Sequence, residues 1–203
     1  MQQLPAKFRT TLYCCINYPV ITTTLVSVVI VLVLYSTAAQ EALVLIEGDL
    51  WSQIWRIFGT HLVHINPLHA FYNILVLWLL VFLFKGLFTN RLLFNVILLS
   101  ALFATLAPAY LANDYHFVGF SGVLHGVWAY AALRTLATDK TKGLVLLAAL
   151  VLKLGYDFIT AGQSVGWLGG AYVAYLCHVG GALGGAIAVP TLAKTSRQLL
   201  QRR

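Results

Sequence analysis

The chain has 203 residues, of which 60% are hydrophobic and 9% charged, with a formal net charge of +7, and its mean hydropathy is +0.84. Soluble domains carry about 25% charged residues, so the composition excludes an ordinary soluble protein and makes the bilayer the solvent. The 13 Lys and Arg residues are dispersed along the chain rather than gathered in one patch, which argues against a nucleic-acid partner.

A membrane-spanning helix needs about 20 predominantly apolar residues, and six stretches qualify, near 19–39, 67–86, 91–112, 120–137, 142–161 and 168–192. The expected fold is therefore an all-α, six-span bundle over 19–193, with an N-terminal segment at 1–18 and a basic tail at 194–203. The first stretch is long for the core of a signal peptide and has no A-x-A cleavage signal, so it reads as a retained span. Lys7 and Arg9 precede it, Lys85 and Arg91 join spans two and three, Arg134, Lys140 and Lys142 join spans four and five, and Lys194, Arg197, Arg202 and Arg203 follow span six. The opposite connections carry Glu41, Glu47, Asp49 and Asp114, with Arg56 as their fixed cation. By the positive-inside bias both termini are cytoplasmic, and the basic excess serves topology and anionic lipid.

The first outer connection, 40–66, is too long for a tight turn and carries Trp51, Trp55 and Phe58, types that favour the headgroup level. Gly48 and Gly59 interrupt any clean helical period within it. Cys14, Cys15 and Cys177 have neither metal-binding spacing nor a plausible disulfide framework, and Cys177 reads as core. No internal repeat is evident, which removes support for an inverted-repeat transporter.

Polar side chains within a bilayer are costly and mark function or a paired structural role. In the expected topology His69 and Asn73 fall in the outer half of span two, Ser121 at the outer start of span four, and Asp157 in the outer half of span five. His178 falls about ten residues into span six, on the order of 15 Å from its outer end at the helical rise. Five polar groups from four spans thus share one leaflet.

Ser121 is flanked by Gly119 and Gly122, and the preceding segment from Asn113 suggests an irregular approach to a helix that opens at the serine. Such a helix start would aim unpaired amides and a positive dipole end at a reacting group beside Ser121. A neutral His178 suits a general base and acid for nucleophilic acyl transfer. Gly181 and Gly185, with Gly122 and Gly126, form two small-xxx-small faces that would bring spans four and six together. His69 and Asn73, four apart on one face, are candidate hydrogen-bond donors to an oxyanion together with the Ser121 amide.

His125, four residues after Ser121, either packs against His178 or competes as the base, and the packing role is favoured because its approach to Ser121 within one helix is poorly aimed. Lys153 and Asp157, also four apart, either neutralise each other or contact a polar part of a substrate or acceptor. No metal or other cofactor is expected: a zinc hydrolase lacks support because no HExxH occurs.

The run RIFGTHLVHINPLHAFYN from Arg56 to Asn73, GFSGVLHG in span four and HVGGALGG in span six resemble the three motif blocks of rhomboid intramembrane serine proteases. Small size, His125 and a TGHxxH-like run, here inverted to Gly59-Thr60-His61, resemble the rhombosortase branch most closely. The resemblance covers roughly 50–190 and is specific because GxSG and HxxGxxxG occur together in the right order.

It implies a dyad of Ser121 and His178 without a third acid, an oxyanion hole of His69, Asn73 and the Ser121 amide, and a Trp55-Arg56 pair that braces the first outer loop. It further implies a bacterial inner-membrane enzyme opening toward the periplasm. Its partners would be the lipid bilayer and exported proteins anchored by a C-terminal Gly-Gly motif, a single span and a basic tail. The residues leave two things open: the oligomeric state, and whether water or an amine resolves the acyl-enzyme. A non-catalytic rhomboid-like binder of membrane segments or a small transporter is the alternative, and the presence of both Ser121 and His178 weighs against the former.

Overall fold

A computed structural model describes residues 19–48, 50–161 and 163–200, the last ten by backbone alone. Asp49, the expected N-terminal segment with Lys7, Arg9, Cys14 and Cys15, and the side chains of the basic tail lie outside the described residues. The described chain is helical, with one isolated bridge between Ser164 and Tyr172.

Helix α1 (Val20–Leu34) ends at Tyr35, and Ser36 caps the next helix, α2 (Thr37–Leu43), by accepting from the Ala39 amide at 3.3 Å. The two axes differ by 111°, so the first apolar stretch is not the single helix to residue 39 that hydropathy suggests. The Ser36 cap lets the chain turn along the 40–66 connection instead of continuing. That connection, irregular by glycine placement, folds as a 3-10 turn at Leu50–Gln53, α3 (Ile54–Gly59) and a second 3-10 turn at Thr60–Leu62.

Helix α4 (Pro67–Leu83) starts where proline needs no amide partner, and the Asn66 side chain caps it by accepting from His69 N at 2.8 Å. Helix α5 (Asn90–Ala112) is capped by Thr89 and ends at Asn113, which adopts φ +50°. Helix α6 (Ser121–Leu136) begins at the candidate nucleophile. Helix α7 (Lys140–Ile159) is capped by Asp139, which accepts from Lys142 N at 3.1 Å. That amide bond holds the exposed Asp139 carboxyl below the usual carboxylate range.

Helix α8 (Tyr175–Leu200) starts seven residues later than the expected sixth span at 168. Gly169 (φ +66°) and Gly170 (φ +86°) occupy the left-handed region, which an apolar stretch conceals from hydropathy but which ends any helix. His178 consequently stands in the first turn of α8, not ten residues down it, and 163–174 forms a loop beside it.

Helix α8 packs most extensively on α5 and α6, and α7 packs on α6. Between helices in lipid there is little hydrophobic driving force, so close packing of small residues has to hold them. Here the glycines do so on two sides. A Cβ on Gly181 or Gly185 would overlap the carbonyl oxygen of Gly122 or Gly126, while Gly180 and Gly184 rest on the Phe103 and Leu99 carbonyls of α5. Ile30, Leu77, Leu93, Val123, Val127 and Tyr130 belong to the main apolar core joining α1, α4, α5 and α6.

Among the described residues, Asn90–Ala112 is the one helix that by length and composition suffices to cross a membrane. The bent pairs Val20–Leu34 with Thr37–Leu43, and Leu50–Leu62 with Pro67–Leu83, pass the same test only when each pair is taken together. The remaining long helices are short or charged: α6 has 16 residues, and α7 carries Lys140, Lys142, Lys153 and Asp157.

Candidate active site

Gly119 precedes the serine helix with φ +112°, a conformation L side chains rarely adopt. A Cβ there would also meet His69 Cε1 at 2.5 Å, so glycine is required twice over. The approach is held from the 40–66 connection. Thr60 Oγ1 donates to Phe117 O at 2.8 Å, Gly119 N donates to Thr60 O at 3.2 Å, and His61 Nδ1 lies 3.3 Å from Gly119 O. His61 is anchored behind, its Nε2 3.0 Å from both Ala101 O and Thr105 Oγ1 of α5. This clamp starts α6 at Ser121, whose first-turn amides have no carbonyl four residues back in the helix.

Ser121 Oγ lies 2.8 Å from His178 Nε2. On the other edge of the ring, His178 Nδ1 lies 2.8 Å from Asp157 Oδ2. The resemblance implies no acid beside this histidine, and the structure differs: α7 delivers one from the end packed against α8. Asp157 is paired as well with Lys153, whose Nζ is 2.6 Å from Oδ1 and 2.5 Å from Oδ2. The i,i+4 contact is therefore present; the Asp157 carboxylate is directed at His178, and Asp157 is not among the residues that line the cavity. Lys153 does line it.

His125 stacks on His178 with ring centroids 4.2 Å apart and planes at 16°. Its Nδ1 lies 2.8 Å from Ser121 O, not from the hydroxyl, which fits packing and not proton abstraction. Its Nε2 is buried without a hydrogen-bond partner.

A cavity of about 700 Å³ opens beside these groups, lined among others by Ser121, His178, His69, Asn73, His125 and Trp167. His69 edges onto Trp167 of the 163–174 loop at 6.0 Å between centroids, and its Nδ1 has no partner. Asn73 Nδ2 donates to His69 O at 3.1 Å, so its amide is turned along α4 in this state. Asn66 Nδ2 donates to Trp167 O at 3.1 Å and ties the loop to the start of α4.

Trp55 Nε1 donates to Ala42 O at 3.1 Å, and Arg56 Nη1 donates to Glu41 O at 2.7 Å and Val44 O at 2.5 Å. The pair thus joins α3 to α2. Gly122 faces Cys177, and Gly126 sits between Ser100 and Gly181. Cys177 is buried.

His125, Asp157 and His178 bring candidate metal-ligand atoms within 4.8 Å of one another. The donor set fits a metal poorly. Both carboxylate oxygens face Lys153 and both His178 nitrogens are engaged, so an ion would have to displace an ammonium and break the contact to Ser121.

Sequence reasoning missed the Thr60 and His61 clamp, the 163–174 loop and the Asp157 contact with His178. The buried polar run Thr60, His61, His64 in an otherwise apolar chain was a usable signal for the clamp.

A helical membrane bundle that holds a half-buried serine in hydrogen-bond contact with a buried histidine beside a cavity defines the class. The chain matches the Rhomboid domain family over residues 51–195. That is well over half its length, and the chain belongs to the rhomboid family, whose members are intramembrane serine proteases acting on membrane proteins. No curated protein matches the chain.

Proposed function

We propose that this protein is an intramembrane serine endopeptidase of the rhombosortase-like branch, with Ser121 as nucleophile and His178 as general base and acid. The observation that carries the reading is the 2.8 Å contact of Ser121 Oγ with His178 Nε2 at the edge of a cavity that also holds His69 and Asn73. Nε2 takes the hydroxyl proton as Oγ bonds to the scissile carbonyl carbon, and the carbonyl electron pair moves onto oxygen. His69, Asn73 and the Ser121 amide donate to that oxyanion. Collapse breaks the C–N bond, and the leaving amine takes the proton from Nε2. Water or an amine then releases the acyl group.

In the same reading the six long helices are six spans, both termini are cytoplasmic, and the site opens to the periplasmic side of a bacterial inner membrane. The substrates are exported proteins anchored by a C-terminal Gly-Gly motif, one span and a basic tail. The branch and substrate type rest on His125 and on the run from Gly59 to His64, the reaction on the site geometry.

The test is reconstitution of the full chain in liposomes with a fluorophosphonate probe and a Gly-Gly-tailed anchored substrate. Labelling and cleavage by the wild type, both lost in Ser121→Ala, are expected. Equal labelling of wild type and Ser121→Ala refutes the nucleophile. Mass spectrometry of the new C-terminus distinguishes a free carboxylate, left by water, from an amide left by transfer.

A further inference from the structure

We infer that Asp157 is a positioning residue that holds His178 in the tautomer able to deprotonate Ser121, with Lys153 holding the carboxylate in place. The inference rests on the protease reading above and extends it from two groups to a line of four: Lys153, Asp157, His178 and Ser121.

A neutral imidazole carries one proton, on Nδ1 or on Nε2. Only the Nδ1-protonated form leaves a lone pair on Nε2 to accept from Ser121 Oγ–H. In a bare dyad nothing selects that form, and the Nε2-protonated form is inactive toward the hydroxyl. Here Asp157 Oδ2 lies 2.8 Å from Nδ1, and a carboxylate paired with an ammonium can accept a hydrogen bond but has none to give. The proton is therefore held on Nδ1. As His178 becomes imidazolium during attack, the same carboxylate faces the new charge at its far edge, as in other serine hydrolases with an acid behind the histidine.

A role confined to neutralising Lys153 in lipid does not account for the arrangement. The Asp157 side chain is 3% exposed and the Lys153 side chain 41%, so the carboxylate is buried on the histidine side while the ammonium reaches the cavity. Lys153 spans both oxygens, which fixes the rotation of the carboxylate and leaves Oδ2 shared between Nζ and the ring. With the acid gone, His178 Nδ1 would be a buried donor without a partner, and nothing would keep the proton there.

The experiment uses the full chain in detergent micelles or liposomes and the labelling rate of Ser121 by a fluorophosphonate. Lys153→Met with Asp157→Asn removes the charge without stranding the lysine, and Lys153→Met with Asp157→Leu removes the acceptor altogether. Whichever of the two keeps the wild-type unfolding temperature within a few degrees is expected to label at least about 100-fold more slowly, the direction seen when the acid of a serine triad is neutralised. Labelling within about threefold of wild type in such a folded variant overturns the inference while leaving the protease reading intact. Failure of the wild type itself to label overturns the protease reading and this one with it.

A second readout needs no variant: nitrogen-15 spectra of histidine-labelled wild-type protein, with His178 assigned by difference from His178→Gln. A protonated Nδ1 and a bare Nε2 are expected. The opposite tautomer overturns the inference even if the variants are slow, since a purely structural role would slow them without setting the proton.

Discussion

Gly181 of α8 lies directly against the carbonyl oxygen of Gly122 on α6, one residue past Ser121 and three residues past His178, and Gly185 repeats the contact one turn on with Gly126. The distance between serine and histidine is thus set by backbone meeting backbone. A methyl at Gly181 has no room, so Gly181→Ala is expected to destabilise by about 1–3 kcal/mol through overpacking. It should also slow fluorophosphonate labelling by roughly 100-fold, since a displacement near 1 Å is that costly in a catalytic pair. Gly155→Ala is the control, because a Cβ there meets nothing within 4 Å; unfolding temperature and labelling rate should both stay near wild type.

The His125 ring supports His178 by its face and reaches Ser121 only at the carbonyl. Phenylalanine can keep the stack and loses only that polar contact, worth about 1 kcal/mol. His125→Phe is accordingly expected to retain cleavage within about tenfold of wild type, and His125→Ala, which removes the stack, to fall further. Loss of all activity in His125→Phe, with the fold intact, would make His125 the base.

Removing one oxyanion donor typically costs 10²–10³ in kcat. His69 stands at the cavity with an unpartnered Nδ1, whereas Asn73 donates to its own helix and must rotate to reach an oxyanion. His69→Ala is therefore expected to lower kcat by about 100-fold or more and Asn73→Ala by less, each with little change in KM. A change in KM with kcat unchanged would assign these residues to substrate binding instead.

The serine, the histidine and the glycine faces were legible because their chemistry is local: GFSG and HVGGALGG state residue type and helical spacing at once. The contact of Asp157 with His178 was not, although the i,i+4 pair with Lys153 was plain. Which helix face α7 turns to α8 depends on the loop at 163–174, and that loop is apolar enough to read as helix until the backbone angles of Gly169 and Gly170 are seen. The bend after Tyr35 was hidden similarly, since a Ser36 cap hardly alters hydropathy. Among the described residues, six helices of 15 residues or more overlap the six apolar stretches, but their lengths follow caps and charged residues that an averaged window smooths away.

His61 joins three parts of the protein: Ala101 and Thr105 on α5, Gly119 before the candidate nucleophile, and its own 40–66 connection. Leucine matches the ring in bulk but makes none of these bonds. Thr105 Oγ1 donates to Ile57 O, so Ala101 O and Thr105 Oγ1 both accept and the single ring proton sits on Nε2; His61→Leu removes that hydrogen bond and the ring edge against the Gly119 carbonyl. The expected cost is one buried hydrogen bond, about 0.5–1.5 kcal/mol, read as a lowered unfolding temperature. Thr60→Val removes the neighbouring bond to Phe117 O at nearly constant shape and should cost about 1 kcal/mol. The Thr60 bond and the His61 ring restrain the same three residues, so the double variant should depart from additivity. Labelling of Ser121 should fall about tenfold in His61→Leu even well below its unfolding temperature, because the clamp governs where α6 starts. Unchanged labelling alongside reduced stability would show that α6 finds its start without His61.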